Sequence, residues 1–137
     1  MEYARNVLRI EDAEHEETAP GAPTLIVSRC SLAGTTERVD ISPKTIAHRA
    51  YGSAQATEQF RCNYGLNESY RSAFSNGPLK ITGVDSTGGA RIVELPEHPF
   101  FVATLFLPQL LSRRGAPHPL VLAYLSAAIA FRDRGET

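Results

Sequence analysis

The chain has 137 residues, of which 42% are hydrophobic and 21% are charged, so it is long enough for one domain with its own core. Its formal net charge of −1 excludes a strongly basic surface, and we therefore expect no primary role in nucleic-acid binding. The longest nearly apolar run, residues 100–111, is interrupted by Thr104, Pro108 and Gln109. It is far shorter than the roughly 20 residues that cross a bilayer. We expect one domain, residues 1–137, that does not enter membranes.

The two cysteines and the first residues indicate the compartment. Cys30 and Cys62 lie too far apart for a C-x-x-C motif and are too few for a disulfide framework. Glu2 and Arg5 stand where a secretory signal would be continuously apolar. The sequence therefore predicts a reduced, cytoplasmic protein.

The first half of the chain predicts one short helix and three strands. Residues 2–8 form the helix, which begins without a capping residue before it. The acidic and then Pro/Gly-rich residues 11–23 predict a surface loop. The apolar side of the helix consists of Tyr3, Ala4, Val7 and Leu8. The three strands are expected at 25–29, 37–41 and 56–64.

The second half of the chain predicts two helices around a β-hairpin. Asn67 is suited to cap a helix that runs to about residue 75 and ends at the Asn76-Gly77 turn. The short sequence DSTGG is typical of a hairpin turn. The remaining elements are two hairpin strands (79–84 and 90–95), a buried strand (100–106) and a C-terminal helix (119–132).

Four stretches carry a resemblance to a known family. They are EYARNVL (2–8), EQFRCNYGLN (58–67), VELPEHPFFVATLF (93–106) and SRRGAPHPL (112–120). In order and spacing they resemble the C-terminal half of the class I glutamine amidotransferase domain of CTP synthase, and the third stretch is the most specific. The resemblance implies an α/β fold, which becomes α+β after truncation. We expect a partial glutamine amidotransferase-like sandwich with a mixed sheet.

The resemblance also implies a chemistry and its loss. The family hydrolyses the side-chain amide of glutamine and delivers ammonia to a synthetase domain in pyrimidine nucleotide (CTP) synthesis. A cysteine attacks the amide, a histidine moves the proton and a glutamate orients the histidine. Leu107 stands at the histidine position and Gln109 at the glutamate position, and Met1 falls just downstream of the expected nucleophile. We therefore expect a pseudoenzyme with no catalytic residues for glutamine hydrolysis.

Two positions correspond to glutamine-binding residues of the family. Asn63 stands where the family has an arginine that pairs with the substrate carboxylate, and Tyr64 matches the family. An asparagine side chain cannot form the bidentate ion pair that a guanidinium forms. Asn63 and Tyr64 are therefore substrate-binding candidates of reduced capacity.

Acidic and thiol side chains offer weaker candidates. Asp12, His15 and Glu16 would share a helical face, but a charge run beside a Pro/Gly-rich loop is usually solvated surface. We expect no metal and no other cofactor. Cys62, which is predicted to lie in the middle of a strand, is expected to be an inert, partly buried thiol.

Two histidines precede prolines. Proline pushes the residue before it toward an extended conformation, so His98 and His118 are predicted to be loop or strand-entry residues rather than catalytic ones.

Three functions remain open from the sequence. The first is a non-catalytic homologue that acts in binding, regulation or assembly. The second is the C-terminal piece of a longer or split gene product linked to glutamine-dependent CTP synthesis. The third is an enzyme that carries out a different reaction on the same scaffold. The residues that could take part in that reaction are Tyr64, Cys62, Glu94 or His118. Because the strand at 100–106 is apolar at successive positions, we also expect a covering partner, either a second copy in a homodimer or a synthetase-like protein.

Overall fold

The computed structural model describes residues 1–135, which form two β-sheets and three α-helices. The strands in chain order are β1 (Glu14–His15), β2 (Leu25–Arg29), β3 (Thr36–Ile41), β4 (Gln55–Gln59), β5 (Tyr64–Leu66), β6 (Lys80–Val84), β7 (Ala90–Glu94) and β8 (Val102–Thr104). The helices are α1 (Ile46–Tyr51), α2 (Arg71–Asn76) and α3 (Pro119–Gly135). Short helical turns lie at Tyr3–Val7, Glu68–Tyr70 and Pro108–Leu110.

The two sheets differ in strand direction. The larger sheet has the order β4-β3-β6-β7-β8 with antiparallel pairs throughout, and the predicted hairpin forms its β6–β7 pair. The smaller sheet has the order β1-β2-β5, in which β1 runs parallel to β2 and β5 runs antiparallel to it. The mixed α/β architecture predicted from the sequence is therefore confirmed.

Two hydrophobic clusters lie on opposite faces of β7. Ile92 is fully buried in the first cluster, whereas the next residue, Val93, packs against the second. Successive side chains of a strand point to opposite faces, so β7 separates the clusters. The first consists of Val39, Ile41, Ala47, Phe60, Ile92, Phe106 and Leu120. The second consists of Ala4, Ala13, Ile26, Phe74 and Leu79.

The prediction of one strand at 56–64 is wrong, because the structure has two strands there, β4 and β5. The chain leaves the larger sheet after Gln59 and joins the smaller one at Tyr64. Between them Phe60 is fully buried in the first cluster and its N–H donates to the carbonyl of Thr35. A run of strand-forming residues carries no signal for a change of sheet, so the pattern read as one strand.

The N-terminal segment packs differently from its predicted helical face. Ala4 is buried, and Tyr3 and Leu8 contact the second cluster, but Val7 is 49% exposed. The turn is a single π-helical one over five residues, so positions 3 and 7 do not share a face as they would in an α-helix. The predicted loop at 11–23 contains β1 and the fully buried Ala13.

The predicted buried strand at 100–106 is only partly buried. It shortens to β8 at the edge of the larger sheet, where Phe101 and Ala103 are exposed and Phe106 is buried. Helix α3 also leaves much of its apolar surface uncovered, with Leu120 as its one buried residue within the described range. No helix within residues 1–135 combines the length and apolar character that a bilayer crossing requires.

Candidate functional site

The segment that ends β8 runs beside the segment that joins the two sheets. The N–H of Leu107 points to the carbonyl of Gln59 at 3.5 Å, and the side chain of Leu105 would lie 3.2 Å from a Cβ on Gly65. The positions compared with the triad and with glutamine binding therefore lie on adjoining stretches of chain. We call residues 59–65 together with 105–109 the junction strip.

Leu107 and Gln109 both face outward from the junction strip. The side chain of Leu107 is 38% exposed, and Gln109 is exposed in the helical turn at Pro108–Leu110. Within the described residues the Gln109 side chain forms no hydrogen bond, while its carbonyl accepts one from Ser112. Neither side chain can serve as a proton carrier for a bound amide.

Asn63 and Tyr64 differ in how firmly they are held. Asn63 is exposed and contributes its carbonyl, which accepts the N–H of Cys30 at 2.6 Å. The Tyr64 ring lies 5.0 Å from the His15 ring and 5.7 Å from the Arg29 guanidinium, measured between centres. The aromatic and cation–π contacts fix Tyr64 as part of a small platform, and Asn63 presents a free amide beside it.

Cys62 lies between strands, which corrects its predicted mid-strand position. It follows β4 by three residues and precedes β5 by two, and its Sγ donates to the carbonyl of Tyr64 at 3.0 Å. The thiol is half-buried, as is that of Cys30. Within the described residues neither sulfur forms a hydrogen bond to a histidine or a carboxylate that could act as a base.

The side chains of Asp12, His15 and Glu16 accept hydrogen bonds from other residues of the chain. The hydroxyl of Thr24 donates to Asp12 at 2.6 Å, the N–H of Glu17 donates to Nδ1 of His15, and the N–H of Arg29 donates to Glu16 at 2.6 Å. Residues 1–135 contain no group of three or more His, Cys, Asp or Glu side chains placed to hold a metal ion.

A buried cluster that sequence reasoning missed joins α1, β4 and α3. Nε2 of His118 lies 2.9 Å from Oε1 of Glu58, and the Tyr51 hydroxyl donates to the same oxygen at 2.5 Å. Nδ1 of His118 accepts a hydrogen bond from the N–H of Leu120. The proton of the neutral ring is therefore on Nε2, which donates a hydrogen bond to Glu58. Burial, followed by the hydrogen bond and charge of Glu58, raises the pKa of Tyr51. The cluster anchors the start of α3.

Glu94 is a second buried carboxylate, and it caps α1. Its two oxygens accept the N–H groups of Ile46 and Ala47, each at 2.8 Å, and the residue is 1% exposed. Glu94 binds the start of α1, whereas His118 belongs to the cluster at the end of α1 and the start of α3. Within the described residues no hydrogen bond joins either of them to Tyr64 or Cys62, and the third hypothesis stays a prediction.

The hairpin turn between β6 and β7 is held by a buried ion pair. Arg91 and Asp85 meet at 2.6 Å with side chains 8% and 4% exposed. Asp85 also accepts the N–H groups of Thr87 and Gly89. Burial alone would raise the pKa of Asp85, but the hydrogen bonds from Thr87 and Arg91 outweigh it and hold that pKa below its ordinary value.

Comparison with known proteins shows that the chain is similar to CTP synthases. No protein-family model matches the chain. CTP synthase from Chlamydia felis is 36% identical over 143 residues, and CTP synthase from Flavobacterium johnsoniae is 34% identical over 141 residues. The alignments cover 96% and 94% of this chain but 26% of each relative. The chain therefore spans about a quarter of the curated relatives it matches.

A solved structure matches the fold itself. The glutaminase domain of Trypanosoma brucei CTP synthase superimposes with a TM-score of 0.85 and 26% identity, covering 93% of this chain and 54% of that one. The two sheets and their helices thus have the glutamine amidotransferase fold. The chain is a partial glutaminase domain of the CTP synthase family.

Proposed function

We propose that this chain is a non-catalytic member of the glutamine amidotransferase family that acts through binding, in regulation or assembly. One observation carries the proposal: the chain retains the glutaminase fold at a TM-score of 0.85, yet the junction strip presents Leu107 and Gln109 to solvent. Neither side chain can take up and return a proton during amide hydrolysis. In this proposal the protein works in the reducing cytoplasm.

The chemistry of the two side chains at the triad positions supports the same proposal. Leucine at the histidine position removes the general base, and glutamine at the glutamate position supplies no charge to stabilise an imidazolium. Loss of one triad member lowers the rate by about 10⁴- to 10⁶-fold in well-studied hydrolases. With both changes, no histidine or carboxylate remains in the strip.

The direct test is a glutaminase assay on the purified chain. We expect no release of glutamate above a buffer control, because the junction strip has no histidine or carboxylate that could accept the proton. Release at a rate on the order of 1 s⁻¹, the low end for ordinary enzymes, would overturn the proposal.

Acivicin supplies a second, independent test. The Trypanosoma brucei glutaminase domain was solved with acivicin bound, so acivicin is a suitable probe for this chain. We expect acivicin to leave no covalent adduct on this chain by intact-mass measurement. A stable adduct on Cys62 would assign it as a nucleophile and contradict the proposal.

A second candidate function rests on the share of its relatives that the chain spans. A match to 26% of each CTP synthase also suits the C-terminal piece of a longer or split product linked to glutamine-dependent CTP synthesis. The mass of the protein recovered from its own cells separates the two candidates. A mass well above 14.9 kDa would favour the second.

We further propose that the chain associates with a homodimer partner or a synthetase-like protein. Support comes from α3, which exposes large apolar side chains along most of its length. These are Leu122, Tyr124, Leu125, Ile129 and Phe131. Light scattering of the purified chain tests the proposal. A mass of 14.9 kDa that persists at high concentration, with no partner recovered from cells, would contradict it.

A further inference from the structure

The two cysteines of the chain meet where the β2–β5 ladder ends. The pairs Val27–Leu66, Ser28–Gly65 and Arg29–Tyr64 place Asn63 opposite Cys30 at the next step. The hydrogen bond from Cys30 N–H to the Asn63 carbonyl at 2.6 Å confirms that step. Cys62 is therefore one residue from the position opposite Cys30, although 32 positions separate the two in the sequence (62 minus 30).

The two sulfur atoms lie against successive residues of β5, Tyr64 and Gly65. Sγ of Cys62 is 3.0 Å from the carbonyl oxygen of Tyr64, and Sγ of Cys30 would be 3.5 Å from a Cβ on Gly65. Gly65 has no side chain that would occupy the space beside the Cys30 sulfur. Neither cysteine belongs to a strand, so a side-chain rotation there breaks no pairing of the ladder.

We propose that Cys30 and Cys62 form a reversible disulfide under oxidation by a peroxide. The bond would join the end of β2 to the segment that enters β5 and would hold Asn63 and Tyr64 in place. This inference stands on the positions of the two sulfurs and does not depend on the proposed function.

The chemistry needs a peroxide and no other reactant. One thiol reacts with hydrogen peroxide to give a sulfenic acid and one water, as the O–O bond breaks and accepts two electrons. The second thiol attacks the oxidised sulfur, the S–S bond forms, and the sulfenic oxygen leaves with the thiol proton as a second water. Two thiols and one peroxide thus give one disulfide and two waters.

The surroundings of Cys30 disfavour its thiolate form. Burial raises the pKa of the Cys30 thiol, which the Arg91 guanidinium partly opposes, and a charge on Cys62 raises it further. A partner thiol held nearby offsets the small thiolate fraction of Cys30 in either step.

A cavity gives the oxidant access to Cys30, which is one of its lining residues. It has a volume of about 410 Å³ and is lined by Arg29, Cys30, Gly65 and Arg91 among others. Both thiols are half-buried rather than sealed in a core. Exposed disulfides are more easily reduced than buried structural ones, which suits a bond that forms and is reduced again.

The test is intact-mass measurement of the reduced full chain after treatment with hydrogen peroxide at micromolar protein concentration. We expect the loss of two hydrogen masses, a monomer on a non-reducing gel, and full reversal by dithiothreitol. Trypsin should then release one cross-linked species from residues 30–38 and 62–71, which both begin with the cysteine.

Cys30→Ser and Cys62→Ser are the matched controls, because each retains the size of the side chain and removes one partner. We expect each to gain oxygen or to form a disulfide between chains, and to lose no hydrogens within one chain. Wild-type protein that behaves like these variants, or that retains two alkylatable thiols after peroxide treatment, would overturn the proposal.

Discussion

A set of buried polar residues, which we call the buried framework, differs from the junction strip in how its side chains are held. Glu58, Asp85, Arg91, Glu94 and His118 are each less than 9% exposed, and each is hydrogen-bonded to a different element or across a turn. In the strip, Leu107 and Gln109 are exposed, and within the described residues their side chains form no hydrogen bonds. Substitutions should therefore damage folding in the framework and have little effect at Leu107 and Gln109.

The largest effect is expected at the buried ion pair. Asp85→Ala leaves Arg91 buried without its partner and removes the acceptor for Thr87 and Gly89. Breaking a buried pair in this way costs about 3–5 kcal/mol. Urea unfolding followed by circular dichroism measures the change. Asp40→Ala is the matched control, because the Arg38–Asp40 pair is 56% and 39% exposed and should contribute less than about 1 kcal/mol.

The same pair predicts a pH dependence with a definite sign. The pKa of Asp85 is lower in the folded protein than its ordinary value of 3.8, so its stabilisation is complete above that value. It is lost as the pH falls through the folded pKa. The stability difference between wild type and Asp85→Ala should stay constant from neutral pH to about pH 5 and shrink below about pH 4. A difference that grows on acidification would contradict this account.

The next largest effect is expected at the cap of α1. Glu94→Gln retains the shape of the side chain but points an NH₂ group at a backbone N–H that now donates to an oxygen. The loss of one charge-assisted hydrogen bond and the unsatisfied donors should cost about 2–3 kcal/mol. Glu97→Gln, the same exchange at an exposed position three residues later, should change the free energy of unfolding by less than about 0.5 kcal/mol. Equal effects would show that Glu94 does not act as a cap.

The elements that sequence pattern predicts best are those whose signals are local. The strand at Leu25–Arg29, the hairpin around the Asp85 turn and the Asn67 cap, whose side chain accepts the N–H of Ser69, all follow from short-range chemistry. The change of sheet after Gln59 depends on the burial of Phe60 against residues far along the chain. No periodicity within residues 56–64 encodes that contact, so the two strands read as one.

The candidate site divides in the same way. Leu107, Gln109, Asn63 and Tyr64 could be proposed because a family resemblance assigns positions residue by residue. The His118–Glu58 pair joins residues 60 positions apart, and neither residue carries a motif. The one local signal was His118 before Pro119, which the N-terminal position of α3 explains once the helix is known.

A smaller effect is expected at that pair, and the chain supplies its own control. His118→Ala removes the cap for Leu120 and leaves Glu58 with Tyr51 as its remaining partner. We expect a loss of about 1–3 kcal/mol, measured by urea unfolding. His98 also precedes a proline but is exposed, so His98→Ala should cost less than about 0.5 kcal/mol. If the two variants were equally stable, the cluster would not anchor α3.

The smallest effect is expected at Leu107 and Gln109, which the resemblance aligns with two triad positions. Had Leu107 been buried, the double variant Leu107→His with Gln109→Glu would cost about 1–3 kcal/mol, because new polar groups would lack partners. Leu107 is 38% exposed and Gln109 is exposed, so we expect a change within about 1 kcal/mol.

Phe106→His is the control for that double variant, since it places the same imidazole one residue earlier, where the side chain is 1% exposed. It should cost about 3 kcal/mol or more. The double variant should also remain inactive toward glutamine, because the introduced imidazole and carboxylate would still face solvent with no thiol hydrogen-bonded to the imidazole. If it released glutamate at a rate on the order of 1 s⁻¹, the strip would retain the rest of a working site, and the contrast between framework and strip would fail.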